Sequence, residues 1–212
     1  EAHLGVELHE LELPIGAKVL VAQATGDLVV PVDPTDHAEL LEQLGRLRQR
    51  EKVAIVTGGA SGIGRSIAQR FAADGARGVV VADLNFERAQ AVAHDIQGLA
   101  VRCDVSSEAD IQALVATTRQ HYGQVDAYIS NAGILGRMGG LDLEDALWDK
   151  MWQIHGMAHV WAARAVVPDM VARGEGFFMV TASAAGLLTI VESAPYAVTK
   201  HAAVAFAEWL RI

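Results

Sequence analysis

Between residues 53 and 181 the sequence repeats one pattern, in which a short and almost entirely apolar run is followed by a longer segment of helical character. The apolar runs cover residues 53–56, 79–82, 99–102, 125–130 and 177–181. Strands that are apolar on both faces are typical of parallel sheets covered by helices on both sides, and each intervening segment is long enough for a crossover helix. The pattern therefore predicts an α/β fold with a doubly wound, mostly parallel, Rossmann-like sheet.

The first 50 residues lack the alternation of apolar runs and helical segments that begins at residue 53, and we expect a domain boundary near residue 50. Residues 18–22 and 28–32 are β-type runs on either side of a glycine-containing loop, which predicts a hairpin. The following residues 33–36 combine a cap, a proline at the first helical position and an acid, which predicts a helix start. We therefore expect an N-terminal extension over 1–50, of unknown role, and one α/β domain over 51–212.

Composition excludes several classes of protein. The chain is 51% hydrophobic and 20% charged, with a formal net charge of −9 and a single cysteine, Cys103. This is the composition of a soluble globular domain, and its negative charge would repel nucleic acid. A lone cysteine gives no sign of secretion or of a cysteine-based zinc site, and no apolar run is long enough to span a membrane. We expect a cytoplasmic protein without nucleic-acid or membrane partners.

The first apolar run leads directly into a glycine-rich turn, Thr57-Gly58-Gly59-Ala60-Ser61-Gly62-Ile63-Gly64, and then into a helical segment. A pyrophosphate can dock at such a turn, because helix N-terminal N–H groups attract anions and glycines allow close approach. Asp83 ends the second run, where a carboxylate can accept both adenosine ribose hydroxyls and would repel a 2′-phosphate. The arrangement favours a nicotinamide dinucleotide, NAD over NADP, although glycine and aspartate are also ordinary turn residues.

The spacing Thr-Gly-x-x-x-Gly-x-Gly and the motifs that follow it resemble the short-chain dehydrogenase/reductase family over residues 51–212. These motifs are Asp104-Val105 after the third run, Asn131-Ala132-Gly133 after the fourth, Ser183 after the fifth, and Tyr196-Ala197-Val198-Thr199-Lys200 in the next helix. Each motif alone is weak evidence. Their order and their placement at strand ends carry the resemblance.

The resemblance implies a catalytic group made of Ser183, Tyr196 and Lys200. Tyr196 and Lys200 are four residues apart and hence on one helix face, and a nearby ammonium lowers the pKa of a phenol from its ordinary value of about 10. Tyr196 would exchange a proton with the substrate oxygen, Ser183 would hydrogen-bond that oxygen, and Lys200 would also bind the nicotinamide ribose. The alternatives are a packed tyrosine, a solvated lysine and a serine that caps a helix.

The resemblance also implies a set of cofactor contacts, which runs through the glycine turn and the ends of the strands. The implied residues are Thr57, Gly58, Ser61, Gly62, Ile63, Gly64, Asp83, Leu84, Asp104, Val105, Asn131, Ala132 and Gly133, together with Tyr196 and Lys200. For Asp104 the alternative is a helix cap, and for Asn131 it is the satisfaction of backbone groups in a turn.

The sequence departs from the family at His155, which aligns with an Asn that usually completes a catalytic tetrad. A histidine there can conduct a proton or can only preserve the helix, and both hypotheses stay open. His155 and His159 are four residues apart, but no third ligand is evident in the sequence, so we expect no metal.

The chain also ends at Ile212, before the substrate-covering loop and last strands of the family, so we expect a fragment or part of a longer protein. The remaining candidates for the substrate pocket are apolar and favour an apolar substrate: Leu135, Met138, Leu187, Leu188 and Val191. Strands at 18–22 and 28–32 would be able to pair with the sheet edge left bare after the fifth run, since uncovered edges invite aggregation.

The leading hypothesis is an NAD-dependent dehydrogenase that interconverts a secondary alcohol and a ketone. The alternatives are a non-catalytic dinucleotide-binding protein and an inactive fragment of a larger dehydrogenase. The family also implies a homodimer or homotetramer, formed by a long helix over 143–172 and by the helix that carries Tyr196. The residues concerned are Trp152, Val160, Trp161, Ala202, Phe206 and Trp209, which would alternatively pack inside the monomer.

Overall fold

The computed structural model describes residues 11–12, 18–23 and 52–210. Within these residues one sheet contains seven strands in the spatial order β1-β2-β7-β6-β3-β4-β5. The strands are β1 (Leu11–Glu12), β2 (Lys18–Gln23), β3 (Val53–Thr57), β4 (Gly78–Asp83), β5 (Leu99–Arg102), β6 (Ala127–Ser130) and β7 (Phe177–Ala182). Only the β1–β2 pair is antiparallel, so the predicted mostly parallel sheet is confirmed.

Helices follow the strands of this sheet along the chain. They are α1 (Gly62–Ala73), α2 (Phe86–Asp95), α3 (Glu108–Tyr122), α4 (Asp145–Trp152), α5 (Ala158–Arg173) and α6 (Ala194–Leu210). A π-helical turn, Gln153–Met157, joins α4 to α5, and a 3₁₀ turn, Ala184–Gly186, follows β7.

The sheet separates two apolar cores, as a doubly wound fold requires. Side chains along β3 alternate between them, with Ile55 in one core and Ala54 and Val56 in the other. Residues of α3, α5 and α6 fill the first core, and residues of α1 and α2 fill the second. β3 lies between β6 and β4, and the glycine turn begins at its carboxyl end.

Side-chain caps mark the starts of two helices. The Asn85 side chain accepts a hydrogen bond from the Arg88 N–H (3.1 Å) at the start of α2, and Ser107 accepts one from the Asp110 N–H (3.2 Å) at the start of α3. The neighbouring Ser106 hydroxyl donates to Asp104. α2 ends at Asp95, and Gln97 shortly after it adopts a positive φ of 55° that a helix cannot contain.

The helix predicted over 143–172 is interrupted in its middle. It begins at Asp145, ends at Arg173 and contains the π turn Gln153–Met157. A π turn accommodates one extra residue in the helix, and such turns often occur at functional sites. His155 is one of its two buried side chains.

The N-terminal strand β2 lies between β1 and β7. The pairing is parallel and runs from Lys18 opposite Phe177 to Gln23 opposite Ala182. This confirms the strand predicted at 18–22 and its pairing with the fifth predicted strand, β7. The predicted strand at 28–32, and the helix predicted to start at 33–36, lie outside the described residues, and the division into an extension and a domain stays a prediction.

No helix among the residues that the structure describes is long and apolar enough to cross a membrane.

Candidate active site

Thr57, the last residue of β3, connects the glycine turn to the loop after β6. Its buried hydroxyl donates to the Ile129 carbonyl (3.1 Å) and accepts from the N–H groups of Asn131 (2.9 Å) and Ala132 (3.1 Å). The Asn131 amide also donates to the Thr57 carbonyl (2.9 Å). These bonds fix the Asn131–Gly133 motif directly beneath the glycine turn, and they agree with the alternative that Asn131 satisfies backbone groups.

The glycines of the turn are required by close backbone packing. A Cβ on Gly64 would lie 2.2 Å from the Gly58 carbonyl oxygen and 2.6 Å from the Asn131 side chain. Gly58 has a φ of +64°, which side-chain-bearing residues rarely adopt. The turn therefore presses onto the Asn131 loop so closely that only glycine fits.

The N-terminus of α1 is open at this turn. Ser61 precedes the helix but makes no side-chain cap, and a Cβ on Gly62 would meet no atom within 4 Å. The first N–H groups of a helix have no partner within the helix, and they carry the positive end of its dipole. Together with the exposed Ile63, this region can receive an anionic group such as a pyrophosphate.

Asp83 lies at the end of β4, beside the glycine turn. Its carboxylate accepts hydrogen bonds from the N–H groups of Ala60 (3.1 Å) and Asn85 (2.9 Å). The next residue, Leu84, is exposed. A negative charge is thus fixed next to the open end of α1, at the distance along the chain that a ribose-binding carboxylate needs.

Asp104, at the end of β5, organises the turn that leads into α3. Its carboxylate accepts from the Ser106 hydroxyl (2.6 Å) and from the Ser106 N–H (3.0 Å), and the hydroxyl bond is the main cause that lowers the pKa of Asp104. The cap of α3 is Ser107, so the alternative that Asp104 caps this helix is wrong, and Asp104 instead organises the turn before it. The contact of Asp104 and Val105 with adenine stays a prediction.

Tyr196 and Lys200 lie together on one face of α6. The Lys200 ammonium nitrogen is 5.8 Å from the centre of the Tyr196 ring and donates to the Thr181 carbonyl (2.9 Å). Tyr196 is half-buried, whereas Lys200 is only 4% exposed, and burial lowers the pKa of Lys200 to about 8. A buried cation therefore stands beside a phenol that solvent can reach.

Ser183 follows β7 and begins the 3₁₀ turn. Its buried hydroxyl accepts from the Ala185 N–H (3.2 Å), which agrees with the alternative that it is a capping serine. The turn packs closely on α6, because a Cβ on Gly186 would lie 2.6 Å from the Lys200 carbonyl oxygen. Ser183 thus belongs to a segment held against the helix that carries Tyr196 and Lys200.

His155 is fully buried behind Tyr196. Its Nε2 accepts from the Ile134 N–H (3.0 Å), its Nδ1 contacts the Thr199 hydroxyl (3.0 Å), and its ring meets the Tyr196 ring edge-to-face at 5.5 Å. Burial, and next the charge of Lys200, lower the pKa of His155 to about 3. The nearby His159 is also buried and bonds to Ser130 (2.7 Å).

Thr181 and Thr199 belong to this network, although sequence reasoning missed them. Thr181 donates to the Asn131 side chain (3.0 Å) and binds Lys200 through its carbonyl. The available signal was its position, because it is the polar residue that closes an otherwise apolar run. Thr199 carried no such signal.

An exposed apolar surface borders Tyr196 along the chain. The candidate pocket residues are all exposed, from 44% at Leu135 to 91% at Val191: Leu135, Met138, Leu187, Leu188 and Val191. The two loops that carry them are joined by hydrogen bonds from the Gly139 N–H to the Glu192 carbonyl (2.8 Å) and from the Ala194 N–H to the Gly139 carbonyl (3.1 Å). The apolar loops therefore form one connected surface next to the start of α6.

Comparison with known proteins gives one consistent family. The family model described as short chain dehydrogenase matches residues 52–212. A 1-deoxy-11-beta-hydroxypentalenate dehydrogenase of Streptomyces arenae is 34% identical, over 78% of this chain and 61% of its own. Dehydrogenase/reductase SDR family member 4 of Oryctolagus cuniculus is 39% identical, over 72% of this chain and 61% of its own.

Solved structures show the same similarity. A short-chain dehydrogenase/reductase of Burkholderia phymatum, crystallised in complex with NAD, superposes with a TM-score of 0.74 at 30% identity, over 77% of this chain and 60% of that chain. Levodione reductase superposes with a TM-score of 0.70 at 31% identity, over 73% of this chain and 63% of that chain. The chain thus spans about three fifths of the length of these relatives.

Proposed function

Because the chain belongs to the short-chain dehydrogenase family, we propose that the protein is an NAD-dependent oxidoreductase that interconverts a secondary alcohol and a ketone. The observation that carries this proposal is the pairing of the half-buried Tyr196 with the buried Lys200 on one face of α6. A phenol that can exchange a proton beside a fixed cation is suited to acid–base catalysis on an oxygen atom.

The residues present fit a nicotinamide dinucleotide. The uncapped start of α1 and the open space at Gly62 leave a positively polarised surface for a pyrophosphate. Asn131 to Gly133 would form the floor beneath the dinucleotide, and Lys200 would bind the nicotinamide ribose. The bound nicotinamide supplies the hydride acceptor or donor.

Asp83 supports NAD rather than NADP. Its carboxylate is held at the turn by the N–H groups of Ala60 and Asn85, so it cannot swing away from a ribose without losing both bonds. A 2′-phosphate placed there would meet a fixed negative charge, whereas free ribose hydroxyls would donate to it. The relative from Burkholderia phymatum is bound to NAD, which agrees with this preference.

In the proposed mechanism Tyr196 moves the proton. During alcohol oxidation its phenolate oxygen takes the proton of the substrate hydroxyl, and during ketone reduction its hydroxyl gives that proton back. The buried ammonium of Lys200 stabilises the negative charge on this oxygen, because burial limits screening by water. The Ser183 hydroxyl, whose oxygen accepts from the Ala185 N–H, would donate its own hydrogen to the substrate oxygen and hold it in line.

The apolar loops support an apolar substrate of small or medium size. Exposed side chains such as Leu135, Leu187 and Leu188 would be covered by such a substrate, and removing apolar area from water is favourable.

Trp152 on α4 and Trp209 on α6 are also about half exposed or more, which supports the proposal of a homodimer or homotetramer through these helices.

The test compares the parent protein with Tyr196→Phe and with a control, Tyr122→Phe, which removes the same hydroxyl from α3. NADH and NADPH binding are followed by fluorescence, and turnover is measured with a panel of secondary alcohols. We expect NADH to bind all three proteins and turnover to be lost only in Tyr196→Phe. If NADH binds and the parent turns over no alcohol or ketone, the non-catalytic alternative replaces this proposal, and if neither cofactor binds, the inactive-fragment alternative does.

A further inference from the structure

His155 connects two parts of the candidate active site. Through Nε2 it accepts the Ile134 N–H, directly after the Asn131–Gly133 motif, and through Nδ1 it contacts Thr199, directly before Lys200. The π turn Gln153–Met157 places its ring between them. Each ring nitrogen therefore has one partner, and the two partners lie on different elements.

The partners determine where the imidazole carries its proton. A backbone N–H can only donate, so Nε2 must present its lone pair to Ile134. The Thr199 hydroxyl has one hydrogen, which it donates to the Pro195 carbonyl at 2.6 Å, so towards His155 it acts as the acceptor. Both bonds exist together only in the neutral imidazole with its hydrogen on Nδ1.

The surroundings of the ring also favour the neutral form. A Cβ built on Gly133 would lie 3.3 Å from Nε2 and 3.7 Å from the Lys200 nitrogen, so the two groups are neighbours across Gly133. The charged or titratable groups around the ring are Lys200, His159 and the edge-to-face Tyr196. An imidazolium would repel Lys200 and would lose its bond to Ile134.

We propose that His155 is a positioning residue, which fixes the spacing between the Asn131–Gly133 loop and the Tyr196–Lys200 face of α6. Its neutral ring keeps its hydrogen on Nδ1 and transfers no proton during turnover. It acts through two bonds and one ring contact. The functional part rests on the proposed oxidoreductase activity, whereas the tautomer and the two bonds can be measured without it.

Three variants separate the two bonds. The asparagine amide ends near the position of Nδ1, so His155→Asn can still donate to Thr199 but does not reach Ile134. The glutamine amide ends near the position of Nε2, so His155→Gln can still accept from Ile134 but loses Thr199. His155→Phe fills the same space and keeps neither bond.

The first experiment needs no turnover. In the ¹⁵N-labelled protein we expect His155 to show the neutral, Nδ1-protonated spectrum throughout the range from about pH 5.5 to 9. Hydrogen exchange of the Ile134 amide should accelerate in the Asn and Phe variants but not in the Gln variant. The Arg88 amide, which is held by the remote Asn85, serves as the control. An imidazolium spectrum, hydrogen on Nε2, or unchanged Ile134 exchange in the Phe variant would overturn the proposal.

The second experiment separates positioning from proton transfer. We expect His155→Phe to lower kcat by roughly 10- to 100-fold through misplacement of the reacting groups, and to weaken NADH binding as well, because the Asn131–Gly133 loop and Lys200 are both proposed cofactor contacts. The midpoint of the pH–rate profile should equal that of the parent, and the Asn and Gln variants should retain intermediate kcat values. A shifted midpoint in the Asn or Gln variant would assign His155 to proton conduction. Parental kcat in the Phe variant would remove its positioning role.

Discussion

Acidification from pH 7 to pH 5 is expected to destabilise the folded protein strongly, because two buried histidines must stay neutral in the native state. His155 and His159 are at most 1% exposed, and burial is the main cause that lowers the pKa of each to about 3. In the unfolded chain a histidine titrates at about 6.5. Below that pH the unfolded state binds protons that the native state cannot accept.

Proton linkage gives the sign and the size of this change in the free energy of unfolding. Since the native pKa is the lower one, the stabilisation is complete above about pH 6.5 and is lost as the pH falls towards 3. Integration from pH 7 to pH 5 gives about 1.9 kcal/mol of lost unfolding free energy for each histidine, or about 4 kcal/mol for both. This is a large part of the 5–15 kcal/mol that is typical of a folded domain, in which such losses are easily measured.

The assay is urea unfolding at several pH values between 7 and 5, for the parent and for His155→Asn. The variant should lose about half of the pH dependence that the two histidines cause, whatever its stability at pH 7. His94→Gln is the matched control, because the His94 side chain is 89% exposed, and it should leave the pH dependence unchanged. Equal slopes in all three proteins would refute the argument that buried neutral imidazoles cause the acid sensitivity.

Two further substitutions test the cofactor site. Gly64→Ala should lower the free energy of unfolding by roughly 1–3 kcal/mol and weaken NADH binding, because its Cβ would collide with the Gly58 carbonyl oxygen. The control is Gly140→Ala, because a Cβ at Gly140 would have no atom within 4 Å. Equal effects of the two substitutions would contradict the packing argument. Asp83→Asn should raise the affinity for NADPH relative to that for NADH, because it removes the negative charge that repels a 2′-phosphate. Both affinities are measured by fluorescence titration, and an unchanged ratio of the two would show that Asp83 does not determine the cofactor preference.

The strands of the domain were predictable because each is a short apolar run that only a two-sided sheet can bury. The one clear error in their bounds is at β6, which begins at Ala127 rather than at Val125. Before that point the Val125 carbonyl accepts from the Arg173 side chain, and the Asp126 carboxylate accepts from the Val53 N–H. The Val125 carbonyl thus bonds to a side chain far along the chain, and no local sequence pattern indicates that partner.

The sequence predicted which residues form the candidate site, but not the contacts that they make. The motif spacing indicated Tyr196 and Lys200, but lysine is rarely buried, so nothing in the sequence indicated the nearly complete burial of Lys200. The π turn at His155 was likewise not predictable from the sequence, because the same residues are compatible with an ordinary α-helix. The bond from His155 to Thr199 joins positions 44 residues apart, which periodicity does not address.

The pairing of β2 with β7 has a consequence for the order of events during synthesis. The two strands are parallel and lie at opposite ends of the chain, with Gln23 opposite Ala182. At the usual 5–20 residues per second, a ribosome needs roughly 10 to 30 seconds to make the segment between them. During that interval β2 can pair with β1 but not with β7, so one side of β2 stays unpaired, and an unpaired strand edge readily pairs with another chain. Among the described strands, the β2–β7 pair is therefore the last that can form, and crowding on polysomes should favour pairing of β2 with other chains until β7 is made.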